Sequence, residues 1–220
     1  MMKPIVVFGV EDFAELAYYY LTTDSPYKVV AFTVHEKYMK CKRYNNLPVI
    51  PFEELEKKYP PEQYDLFAPM MAKRMNTLRE KVYLEGKEKG YDFISYVSSK
   101  ATVFNNVIGE NCFILENNTI QPFSVIGNNV VLWSGNHIGH HGIVKDHVFF
   151  TSHVVMSGHC VIGENCFLGV NSTIRDGSNL AKGTLLSMSS CLTLKETEEW
   201  GVYIGHPAKK KGTRFSYDVF

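Results

Sequence analysis

The sequence predicts an α/β fold in two halves. A domain built on a parallel sheet covers residues 1–95, and a stack of short parallel strands, coiled into a β-helix, covers 96–220. Three observations carry this. Buried-strand and helix patterns alternate through the first half. An apolar residue recurs at every sixth position through most of the second. The chain has 220 residues, 45% hydrophobic and 21% charged, an ordinary globular composition with enough apolar side chains for two cores.

In the first half, "PIVVFG" is an unbroken apolar run suited to a buried strand, and "EDFAELAYYYL" has helical spacing. "KVVAFTV" is a second strand, "PFEELEKKY" a short helix and "YDLFAPM" a third strand. "NTLREKVYLEGKEKG" is a charged helix that Gly90 is placed to cap, and "DFISYV" closes the set. Sheets of this kind take ligands at the carboxyl ends of their strands. Gly9 follows the first strand, and Asn76 and Arg79 open the third helix, so all three are candidates for phosphate or base contacts. A plain N-cap and a surface arginine is the alternative for the last two. The first loop reads "FGVEDFAEL". Glu11 and Asp12 stand where a dinucleotide-binding turn has glycines, so NAD is not expected.

In the second half, stepping by six from Ile108 to Leu192 meets fifteen residues, all apolar. Twelve of the residues two places earlier are small or β-branched, and glycine follows the apolar position at Gly109, Gly127, Gly139, Gly163 and Gly169. A six-residue unit is one short strand and a turn that cannot bury its apolar residue alone, so units must stack. Three units make one triangular coil, and residues eighteen apart then lie one strand spacing, ~4.8 Å, from each other. His140 is thereby placed beneath Gly158, and His141 beneath His159.

Six of the eight histidines fall between Trp133 and His159. His141, His147, His153 and His159 recur every six residues, at equivalent corners of successive faces, so within one chain they cannot all converge on one ion. They are either solvated turn residues or the surroundings of an acid–base centre. Acyl transfer from a thioester needs a group to take the nucleophile's proton, which imidazole suits, and a donor for the thioester oxygen. His140 with the Gly158 N–H one coil above meets both needs; His137 is the competitor.

The run "GHHGIVKDHVFFTSHVVMSGHCVIGENCFLGVNSTI" resembles the active-site region of hexapeptide-repeat nucleotide-sugar acetyltransferases, of the sialic acid O-acetyltransferase and bacillosamine N-acetyltransferase type. The resemblance implies a Rossmann-like N-terminal domain, a left-handed parallel β-helix, a homotrimer, acetyl-CoA as cosubstrate and a nucleotide-linked sugar as acceptor. It implies His140 as the catalytic base and Gly158 as oxyanion donor. The family's acidic neighbour of the base is replaced by His141, and a second family histidine falls on Phe149. Trp133, Asn136, His137 and His141 are expected around the sugar. The tail "VYIGHPAKKKG" is similar to the family's Gly-x-Pro-Ala ending, which implies a turn of Gly205, Pro207 and Ala208 near coenzyme A. Lys209, Lys210, Lys211 and Arg214 would either meet its phosphates or form a solvated basic tail, and backbone amides near Gly158 and Ala181 would line its groove.

Composition bounds the rest. Acids and bases balance and the pI is near 7.1, which does not suggest a nucleic-acid or membrane-surface binder. No apolar run approaches the ~20 residues of a membrane span, and the N-terminus lacks signal-peptide character. Five cysteines without a CxxC pair fit a reduced, cytoplasmic setting. No metal cofactor is expected. Two rival readings stay open: a zinc hydratase like the γ-type carbonic anhydrases, which share this helix, and a β-helix that binds without catalysing.

Overall fold

The computed structural model describes residues 2–218. The N-terminal domain carries strands β1 (Ile5–Phe8), β2 (Val29–Val34), β3 (Arg43–Tyr44), β4 (Leu47–Pro51) and β5 (Asp65–Phe67), with helices α1 (Asp12–Thr23), α2 (Leu55–Lys58) and α3 (Thr77–Glu88). The sheet order is β3-β4-β2-β1-β5; all neighbours are parallel except β3 with β4. The β3–β4 hairpin is an addition to the strands that the sequence predicts. Its turn residues Asn45 and Asn46 have φ of 44° and 62°, the conformation that tight two-residue hairpins favour and asparagine tolerates. The predicted strand "DFISYV" divides. Phe93 bridges to Leu66 in the N-terminal sheet, whereas Tyr96–Val97 is the first strand of the helix.

From there the chain winds through seventeen two-residue strands, β6 (Tyr96–Val97) to β22 (Cys191–Leu192). They form a left-handed parallel β-helix of three faces, each pairing residue i with i+18 along most of its length. One ladder runs Phe113, Val131, Phe149, Phe167, Leu185; we call it the docking face. A second runs Thr119, His137, Val155, Thr173, Cys191, the histidine face. The third runs Val107, Val125, Ile143, Val161, Asn179, the valine face. All fifteen residues of the sequence period point inward, and fourteen of them are at most 1% exposed; Ile108, in the first coil, packs against them. A further inward pair, Val97 and Val103, precedes the period; the step from Val103 to Ile108 is five, so this coil falls outside the strict six-residue repeat.

The corners account for the histidines. Every sixth residue from Asn111 to Ser189 has φ between 54° and 80°. Outside glycine, that left-handed region is populated chiefly by Asn, Asp and His. His141, His147, His153 and His159 occupy four consecutive such corners. Their spacing is a backbone requirement first. The glycines after inward residues have a different cause: a Cβ at Gly139 would stand 2.5 Å from the Gly158 nitrogen, so the coils approach too closely for a side chain.

The N-terminal domain packs on the docking face and on the corner between it and the valine face. Phe13 of α1 meets Trp133 and Phe113, and Asp24 at the end of α1 accepts from Tyr96 Oη, Ser98 Oγ and the Ser99 N–H and hydroxyl. Helix α3 lies along a ladder of corner side chains. Asn111 donates to Asn129 at 2.9 Å, and Asn129 Nδ2 lies 3.0 Å from His147 Nδ1. The ladder leaves acceptors that α3 fills.

Candidate active site

His140, His141, Gly158 and His159 meet at the corner between the histidine and valine faces, opposite the face the N-terminal domain covers. The His159 N–H donates to the His140 carbonyl at 3.0 Å, fixing one coil on the next. The His140 ring lies where a side chain on Gly158 would be: an ideal Cβ there falls 2.9 Å from His140 Nε2 and 2.8 Å from Cε1. Glycine at 158 is therefore what admits the imidazole. The Gly158 N–H has no acceptor among the described residues, whereas the His140 N–H is taken by Gln121 Oε1 at 2.9 Å.

His140 Nδ1 lies 3.0 Å from His141 Nδ1. One of the two must donate and the other accept. If His140 donates, its Nε2 beside Gly158 keeps a free lone pair, the state a general base needs. His141 is itself held between rings, stacked on His159 at 5.0 Å and 14° and packed on Phe123 at 4.7 Å. All three histidines are exposed, and one ring nitrogen from each lies within 4.8 Å of the others. A carboxylate joins them: Asp176 Oδ1 approaches to 3.1 Å of the same ideal Cβ position on Gly158. Asp176 is eighteen residues beyond Gly158, so the coil period that paired His140 with Gly158 also indicated it.

The other sequence candidates lie elsewhere. Asn136 is buried, accepts from the Val154 N–H at 2.7 Å and donates to the Trp133 carbonyl. It corrects the expectation of a sugar contact. Asn106, Asn118 and Asn136 are the three exceptions to the small-residue rule, and their amides bond the corner backbone instead. His137 sits in its strand between Thr119 and Val155, on the histidine face. Trp133 is at the next corner, stacked on Phe13.

In the N-terminal domain, Arg79 is 1% exposed, and its guanidinium donates to the His147 and Val148 carbonyls and to Asn129 Oδ1. Burial lowers its pKa to about 9. Asn76 is wholly buried and donates to the Asn165 and Cys166 carbonyls. Both expected phosphate ligands are in fact domain clasps. Gly9 makes the β1–α1 turn at φ 118°, but Glu11, Asp12 and Glu15 crowd the helix start, and Glu11 pairs with Lys40.

Near the C-terminus, the Ala181 N–H is taken by Thr197 Oγ1 at 2.8 Å, so it is not open to a cosubstrate as expected. The hairpin of β23 (Gly201–Gly205) and β24 (Ala208–Phe215) caps the docking face. The Gly205 N–H is held by Ser190 Oγ; Pro207 and Lys209 are exposed, and Lys210 pairs with Glu198. The Arg214 side chain is outside the described residues. One cavity of about 460 Å³ opens between Met71–Lys73, in the loop after β5, and Trp133, Phe149 and Phe167 of the docking face. Phe149 is thus buried behind this cavity, far in the coil from the His140 corner. The loop was invisible in sequence because its partners lie 60 or more residues away.

The family described as bacterial transferase hexapeptide (six repeats) matches residues 107–140. PerB from Caulobacter crescentus, solved in complex with CoA and GDP-perosamine, superposes with a TM-score of 0.84 at 19% identity, over 96% of this chain and 99% of its own. The chain has the fold of hexapeptide-repeat sugar acetyltransferases. The acetyltransferase domain of PglB from Neisseria gonorrhoeae matches with a TM-score of 0.81 at 19% identity, over 96% of this chain and all of that one. WeeI from Acinetobacter baumannii matches at 0.79 and 18%, over 94% and 99%. No curated protein matches the sequence significantly.

Proposed function

We propose that the protein transfers the acetyl group of acetyl-CoA to the amine of a nucleotide-linked amino sugar. The observation that carries this is His140 Nε2 beside Gly158, with Nδ1 held by His141. The sugar amine attacks the thioester carbonyl while His140 Nε2 takes its proton. The Gly158 N–H donates to the oxygen that gains charge, and collapse expels the thiolate of coenzyme A, which recovers the proton from His140. His141 stands in for the usual carboxylate: it accepts the Nδ1–H of His140 and so fixes the productive tautomer. Asp176, across Gly158, favours an amine over a hydroxyl, because an amine has a second N–H to donate to it.

The cavity beside Met71–Lys73 suits the nucleotide, with aromatic walls for a base and the Lys73 ammonium for phosphate. Gly9, at the same edge of the sheet, is the remaining N-terminal candidate. It lies on the docking face, away from the His140 corner, so we infer that a complete site needs two chains of a trimer. The exposed Val107, Val125 and Ile143 beside that corner, with Phe123 at 73% exposure, form the apolar surface such contact requires. His137, on the adjoining face, is then the second histidine within reach of the acceptor, and Trp133 borders the nucleotide. Gly205, Pro207 and Lys209 would reach coenzyme A from a neighbouring chain. No helix of the described residues is long and apolar enough to cross a membrane.

The test is release of free thiol from acetyl-CoA with a panel of UDP-, dTDP- and GDP-linked sugars, each offered as the amine and as the matching hydroxyl. Release with one amino sugar supports the proposal. Release with no sugar sinks it and returns the β-helix to a binding role.

A further inference from the structure

We propose that the same corner holds a zinc-class divalent cation between His140, His141 and His159, and that this ion switches the base off. The effect on turnover rests on the acetyltransferase reading; the binding itself does not. One ring nitrogen from each residue lies within 4.8 Å of the others, and the Nδ1 atoms of His140 and His141 are 3.0 Å apart. Zinc binds imidazole nitrogen at about 2.0–2.1 Å, which spaces tetrahedral ligands roughly 3.3 Å from one another. The three rings already approach that spacing, and rotation about side-chain torsions closes the rest.

The backbone beneath them is set. His141 and His159 share the left-handed corner conformation at φ 54° and 56°, and the His159 N–H to His140 carbonyl bond joins the two coils. All three rings face solvent, which gives an ion a way in. An all-imidazole set selects zinc, copper or nickel and rejects magnesium and calcium, which need oxygen ligands. Ligation at His140 Nδ1 displaces its proton to Nε2. The nitrogen that faces Gly158 then carries a hydrogen and cannot accept one from the acceptor amine. Ligation at Nε2 blocks the same lone pair directly.

Titrating zinc chloride into the full-length protein, followed by calorimetry without substrates, tests the binding. One saturable zinc per chain, not displaced by excess magnesium, is expected. His159→Asn should abolish it, and should fold normally because Asn165 and Asn171 occupy the equivalent corner. In the thiol-release assay, zinc should inhibit the wild type and EDTA restore it, while the rate of His159→Asn, whatever its value without metal, should not change on adding zinc. Absence of saturable binding, equal binding by His159→Asn, or an active wild type that zinc leaves uninhibited each overturns the proposal. Zinc binding through His159 in a protein that never releases thiol keeps the metal site and removes the acetyltransferase reading.

Discussion

At the scale of single residues, the site turns on a substitution of chemistry between neighbours. A carboxylate beside a catalytic imidazole orients it and accepts its Nδ1–H; His141 can do the second only while neutral. His141→Ala should therefore lower kcat by about 10-fold or more, in keeping with what a general base contributes when held in its tautomer. His141→Asp should restore most of the loss, since aspartate both accepts the bond and tolerates the positive φ of this corner. Steady-state kinetics of the two variants checks this. Equal loss in both means that His141 serves only to pack against Phe123 and His159. The pairing of His140 with Gly158 was legible from the period of eighteen. The Nδ1–Nδ1 contact was not, because side-chain rotamers do not follow from spacing. Asp176 was legible in principle, being one coil further up the same column.

At the scale of elements, the corner between the docking and valine faces ties α3 to the helix. His147 is buried there, its Nδ1 near Asn129 and its Nε2 3.8 Å from Glu80. Burial pushes its pKa down, opposed by Glu80 and reinforced by Arg79. A base with a lowered folded pKa binds protons more weakly in the folded state, so stability is full above the ordinary imidazole value of about 6.5 and falls as pH drops below it. Thermal melts from pH 7.5 to 5 should show this decline in the wild type and a flatter profile in His147→Asn. Identical slopes would place the acid sensitivity elsewhere. Arg79 and Asn76 belong to the same clasp. The sequence correctly opened a helix at Thr77 but could not say which way its first turn faced. A phosphate site and an interdomain clasp use the same residue types, and only the long-range contacts with Asn129, His147 and Asn165 separate them. The six-residue period, by contrast, was almost fully legible, since each unit repeats one local demand: an apolar residue inward, a small one before the strand, and a left-handed corner.

At the scale of the whole molecule, the N-terminal domain and His140 sit on opposite sides of the prism, and the valine face between corners is left apolar. In the proposed trimer this face is the contact surface, so charging it should separate the chains. Ile143→Arg, at a position 43% exposed in the single chain, should convert a trimer to monomers by sedimentation velocity and abolish acetyl transfer together. A variant that stays trimeric moves the interface to another face. A monomer that keeps full activity shows that one chain suffices.

The account depends most on His140. Its direct test is thiol release by His140→Ala with the best acceptor from the sugar panel, measured against the wild type at saturating acetyl-CoA. A fall in kcat of at least ~10²-fold, with the KM for acetyl-CoA little changed, is the predicted result for loss of a general base. Wild-type turnover by His140→Ala would contradict the assignment and move the proton acceptor to another residue, His137 first.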